Sequence, residues 1–387
     1  MLDQLNTLSA VQTVLKKLDE VNTLYITKVA EQIRAIGEMN ATSLDRLTVM
    51  TEVGANITEI TRQLSIALRE TESEVMKIYQ RALDTVYNSP RFRKALEYKS
   101  LTPADFQRIN QFAEAASRQT IGRLENFSNT TAIPEDYRAA VDRSILAVSS
   151  GLTSYTEAMR DVVRDVGSGG IKVVYASGYR RRLDSAVRQN IIDGANQISG
   201  HCADMIGEAL GYTAVELTAH ENSAPDHEPV QGRVFLRTEF DKMQNGEDMQ
   251  DVDGNKYAGF RRPINEWNCG HFAAPFSLEY GHRVYSDEQL EAMRQRNHEK
   301  VEIDGKQYTK YECSQIMRRL ETESRRQKDI AVAAKAAGDM ELRRQCQAKI
   351  NAISAKYGIV AEKAGLRERR QRMTVIGFRA VKAEVKK

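Results

Sequence analysis

Proline is scarce in this chain, with 7 among 387 residues. Helix interiors exclude proline, which has no N–H to donate and clashes with the preceding turn, so the scarcity leans towards helix. Tryptophan occurs once, at Trp267, and histidine only six times. The four cysteines, at 202, 269, 313 and 346, are widely spaced. That spacing excludes a dense disulfide framework and fits a reducing compartment. No uncharged apolar run approaches the ~18 residues of a membrane-spanning helix, so no membrane association is expected. The opening MLDQLNTLSAVQ has neither the basic start nor the apolar core of a secretion signal. A G-x-x-x-x-G-K-[ST] phosphate loop, a dinucleotide fingerprint and an H-E-x-x-H pair are all missing. Three large enzyme classes therefore lack their signatures.

Apolar residues make up 41% and charged residues 28%, a composition that supports folded cores. Charge is unevenly spread. Residues 301–387 carry 21 basic and 11 acidic side chains, while residues 1–170 carry 20 and 22. A basic C-terminal tail has two readings: a solvated helix face, or a surface for an acidic partner such as DNA.

Apolar side chains at 2, 5, 8, 11, 15, 18, 21 and 25 mark one stripe of a long helix over 2–36, close to a coiled-coil seam. Gly37 and Asn40 break it. A second long helix is expected over 43–87, ended by Ser89-Pro90, and the two most simply form an antiparallel hairpin. Thr102-Pro103, with Asp105 behind, starts another helix. The polar stretch 125–136 reads as a loop, and one helix follows from Pro134 to about Val166. GSGG at 167–170 is the strongest linker signal. Helix resumes at 179, with Cys202 on its apolar stripe. After Gly211 the period changes to two, predicting a half-buried strand at 215–219 and another at 230–236. Asp-Gly pairs predict hairpins within 251–257 and 301–308. Ser286 with Gln289, and Thr309 with Glu312, are capping boxes. A helical hairpin turning at 337–339 carries Cys346 on its apolar face. The expected fold is mainly α with a small α+β core: a long N-terminal helical hairpin, a compact core with short strands, and a C-terminal helical hairpin. Its expected domains are 1–170, 171–310 and 311–387.

Two of the six histidines fall in HENSAPDHEPVQGRVF, as His220 and His227. WNCGHFAAPF adds Cys269 and His271 about 40 residues later. Two imidazoles, then a thiol and a third imidazole, suit a tetrahedral zinc ion that staples a loop-rich core. A metal-free polar cluster around Trp267 and the Pro275-Phe276 corner is the alternative. Catalysis is a third reading, with Cys269 as nucleophile and His220 or His227 as base. A metal-dependent nuclease would need a carboxylate cluster that is not evident.

The order of these features resembles the phage minor capsid proteins of the minor capsid protein 2 type. It also resembles, over the shorter histidine-to-cysteine core, the head morphogenesis proteins of the phage Mu F type. The resemblance rests on SAPDH, QGRVF, WNCGH, the hairpin VEIDGKQY, the charged helical hairpin and the final GLRERR…GF segment. It covers about 140–378 and is weak over the N-terminal helices. His220, His227, Gln231, Gly232, Asn268, Cys269 and His271 match the family's pattern; Ala224-Pro225-Asp226 and Gly270 stand where arginines are frequent. The resemblance implies a non-enzymatic structural protein of a tailed-phage head. It would be made in the bacterial cytoplasm and built into the virion at the portal vertex. Its expected partners are the portal protein and other head proteins, with non-specific contact to DNA through the basic tail.

Overall fold

The computed structural model describes residues 4–39, 46–89, 92–93, 96–97, 99–150, 155–265 and 269–381. Asn40, Pro90, Trp267, Asn268 and the last six residues of the basic tail, all invoked above, lie outside them. The protein is mainly α with a small α+β core, as the sequence pattern predicts. No described helix is long and apolar enough to cross a membrane. The chain groups into two compact units. One comprises 1–11, 72–123 and 188–314, and the other comprises 12–71, 124–187 and 315–387.

The unit that comprises 12–71, 124–187 and 315–387 is built mainly from helices. Helix α1 (Gln4–Glu38) and helix α2 (Arg46–Glu70) run antiparallel. Lys17 pairs with Glu70 at 3.0 Å, and Gln32 donates to Glu52 at 3.1 Å, near the other end. The expected helix over 43–87 is instead two. Thr71 breaks it, its hydroxyl donating back to the Leu68 carbonyl at 2.6 Å, and α3 (Glu72–Asn88), which belongs to the other unit, follows. A hydroxyl bonded to its own backbone competes with the helical ladder.

The helix expected from Pro134 to Val166 is also two, α5 (Ile133–Ser150) and α6 (Tyr155–Gly169). Arg143 reaches Asp165 at 2.8 Å to tie them together. GSGG does not read out as an open linker. Residues 167–169 belong to α6, and a Cβ on Gly167 would stand 2.6 Å from the Ile330 Cα. Glycine here permits close helix approach. Strand β1 (Lys172–Val174) then pairs antiparallel with β2 (Arg180–Arg182), where helix was expected from 179. Ion pairs override local propensity at this point. Arg180 reaches Asp136 at 2.7 Å, and Arg182 reaches the buried Asp329 at 2.9 Å.

Helix α10 (Lys310–Ala336) starts at the Thr309–Glu312 box and α11 (Met340–Lys363) at Asp339, whose carboxylate accepts from Leu342 N–H. Tyr357 donates to Glu321 at 2.8 Å across this C-terminal hairpin. The basic tail is not a free arm. Ile376 N–H donates to Asp19, Thr23 donates to the Ile376 carbonyl, and Lys328 donates to the Met373 carbonyl. Arg370 and Arg372 pair with Glu368 and Glu321.

The other unit contains α4 (Pro103–Asn126), capped by Thr102 and Asp105 as expected. It also holds the larger part of α7 (Leu183–Leu210), including the fully buried Cys202. Its sheet has the order β4 (Val234–Leu236), β3 (Ala214–Leu217), β7 (Ala273–Phe276), all antiparallel. Strand β3 is central and buried on both faces rather than half-buried. Even Glu216 is covered, accepting from Val284 N–H at 2.7 Å. Strand β7 was not expected. Pro275 fits it because β7 is an edge strand, where a missing N–H breaks no ladder. Helix α8 (Arg237–Asn245), also unexpected, joins β4 to the short hairpin β5 (Met249–Gln250) and β6 (Lys256–Tyr257). Asp251 closes that hairpin, accepting from Asn255 and Tyr257. Phe235, Val215, Leu217, Phe240 and Met243 form the core with Cys269 at its margin. Helix α9 (Asp287–His298) has the predicted capping box, and β8 (Lys300–Ile303) and β9 (Lys306–Thr309) form the predicted hairpin.

Candidate metal centre

The β3–β7 ladder brings the two motifs together. Past the end of β3, Thr218 N–H donates to the Phe272 carbonyl at 2.9 Å, and Phe272 N–H donates to the Thr218 hydroxyl at 2.8 Å. His220 therefore leaves the sheet beside the segment that carries Cys269 and His271. The loop after His220 returns His227 just before a 3-10 turn, Glu228–Val230. Asn297 and His298 of α9 hold Glu228 at 2.8 and 2.6 Å, fixing that loop.

Three of the four sequence-predicted residues converge. Cys269 Sγ lies 3.3 Å from His227 Nδ1 and 3.5 Å from His271 Nδ1, and all three atoms lie within 4.8 Å of one another. All three side chains are buried. His220 is beside them but not among them. Its ring centroid is 4.3 Å from that of His271, and its Nε2 lies outside the three-atom group. His220 Nδ1 is 3.0 Å from the Glu221 carbonyl, while Nε2 is buried without a hydrogen-bond partner among the described residues.

The outer partners define which ring nitrogens hold protons. His227 Nε2 is 2.7 Å from the Arg262 carbonyl, which can only accept. His227 therefore carries its proton on Nε2 and turns the Nδ1 lone pair to the sulfur. His271 Nε2 is 3.3 Å from Gln231 Oε1, which already accepts His220 N–H at 3.2 Å. His271 takes the same tautomer. Its own backbone N–H donates to Sγ at 3.4 Å.

Burial dominates the titration of these groups. It holds His271 well below the usual histidine range, helped by the neighbouring His220 and His227. It lowers His227 and His220 as well, and it raises the Cys269 thiol. Without a metal, a neutral thiol faces neutral imidazoles. That opposes the cysteine hydrolase reading, because a nucleophilic cysteine must be exposed and readily ionised. The Asp226 carboxylate pairs with Arg262 at 2.7 Å and lies 3.8 Å from His227 Nε2. In the sequence, Gln231 stands out only as part of the family-like pattern. The Arg262 carbonyl is a backbone group that no side-chain pattern announces.

These features define a class: a mainly helical protein whose small α+β core is joined by buried histidines and a cysteine. The chain belongs to the phage minor capsid protein 2 family, whose match spans residues 7–357. It is thus a bacteriophage minor capsid protein. The span includes the N-terminal helices, where the resemblance in sequence is weak, and stops before GLRERR…GF. No curated protein and no solved structure gives a significant match.

Proposed function

We propose that this protein is a structural component of a tailed-phage virion that docks at the portal vertex while the head assembles. Family membership across residues 7–357 is the observation that carries the reading. The absence of an exposed nucleophile at Cys269 supports a structural rather than catalytic role. Its partners are then the portal protein and neighbouring head proteins. Contact with packaged DNA is the weaker extension. The net charge of residues 301–387 favours it, but Arg370 and Arg372 are engaged with the protein's own carboxylates. Any such contact would be to phosphates, without sequence preference.

Co-expression with the portal protein of the same phage tests the docking. The expected result is a complex that survives affinity purification and gel filtration. No association, together with absence from assembled heads, would sink the proposal. DNA retention that falls steeply with added salt would support the extension.

A further inference from the structure

We propose that His227 Nδ1, Cys269 Sγ and His271 Nδ1 bind one zinc ion, with His220 Nε2 recruited as the fourth donor. This goes beyond the portal reading and does not depend on it.

The first argument counts protons. Both Nδ1 atoms present lone pairs to the same sulfur, because both Nε2 atoms are committed to acceptor oxygens. A thiol has one proton and can satisfy only one of them. The second contact would set a nitrogen lone pair against a sulfur lone pair in a buried site. A cation at the centre, with the thiol proton released, removes that conflict.

The second argument is metric. Tetrahedral zinc with Zn–N about 2.0 Å and Zn–S about 2.3 Å gives N···S edges of about 3.5 Å. The observed separations are 3.3 and 3.5 Å. The surroundings also suit a metal. Each histidine's far nitrogen is anchored by an oxygen, the usual support behind metal-bound imidazole. The His271 N–H pointing at Sγ stabilises a thiolate.

The fourth donor follows from the orphaned atom. His220 directs Nδ1–H at the Glu221 carbonyl, so Nε2 is a buried lone pair with no hydrogen-bond partner among the described residues. Gly270 makes room for it, since a Cβ there would lie 2.9 Å from Nε2. Rotation of the ring brings Nε2 inward and closes the site with four protein donors. A closed set of three nitrogens and one sulfur fits structural zinc better than a catalytic ion with an open position.

The test is metal analysis of the purified full-length chain, followed by substitution with cobalt(II). One zinc per chain should survive dialysis, and the cobalt form should show thiolate-to-metal charge-transfer absorption. Cys269→Ser should abolish that band, and His220→Ala should weaken zinc binding on the order of tenfold or more. A folded wild-type chain that holds no zinc, and whose melting is indifferent to zinc and chelator, overturns the proposal. So does a cobalt form without thiolate absorption, which requires no variant to fold. Unchanged zinc affinity in His220→Ala overturns the assignment of the fourth donor.

Discussion

Asp329→Asn should change how stability depends on pH. Asp329 is 1% exposed and accepts from Arg182 at 2.9 Å and Asn22 at 3.5 Å. Burial outweighs Arg182 and pushes its pKa from 3.8 up to about 7, and Asp19 nearby is pushed up to about 6. A carboxyl whose folded pKa is raised binds more protons folded than unfolded. Its contribution to stability is complete below the unfolded value near 4 and is lost as pH rises towards 7. Each unit of separation amounts to about 1.4 kcal/mol, so a separation of about 3 units makes the whole loss on the order of 4 kcal/mol. Asp184 lies in the same cluster but is lowered to about 2, so it contributes nothing to the slope above pH 5. The buried histidines slope the other way, since lowered imidazoles favour folding as pH rises. The difference between variant and wild type cancels them. The asparagine amide also meets one donor head-on, a constant cost of about 1–3 kcal/mol that leaves the slope unaffected. Urea unfolding at intervals from pH 4 to 8 measures it. The variant should gain on the wild type as pH rises, chiefly between 4 and 7. A gap that stays constant, or narrows with pH, would refute the reasoning.

Phe235→Ala removes a fully buried ring from the sheet core and should cost about 3–5 kcal/mol in urea unfolding. Ser286→Ala removes one arm of the α9 capping box and should cost about 1 kcal/mol by the same measurement. Asp251→Ala should loosen the β5–β6 hairpin, seen as faster hydrogen exchange at Asn255, whose N–H it accepts at 2.8 Å. All four cysteines are buried, so an aromatic disulfide reagent should label none rapidly in the folded chain and all four in denaturant. A fast-reacting Cys269 in the native protein would revive the hydrolase reading.

Features whose cause is local were legible in the sequence. Thr102 with Asp105, Ser286 with Gln289 and Thr309 with Glu312 each cap a helix through atoms three residues apart. The turn at Asp304-Gly305 is likewise set by its own residues. Features whose cause is distant were not. Strand β7 exists because β3 offers it an edge, and AAPF has no period of its own. The close approach of Gly167 to Ile330 and the burial of Arg182 by Asp329 join residues far apart in the chain. The candidate site divides the same way. Residue types singled out His220, His227, Cys269 and His271. Which nitrogens face the sulfur depends on the Arg262 carbonyl and Gln231, and only the folded chain shows them.

The proposed place of this minor capsid protein is one vertex of the phage head. Labelling the protein in purified heads and imaging the label by electron microscopy tests it most directly. Docking at the portal requires label at a single vertex, coincident with the portal. Label spread over the whole shell, or heads that contain none of the protein, would contradict it.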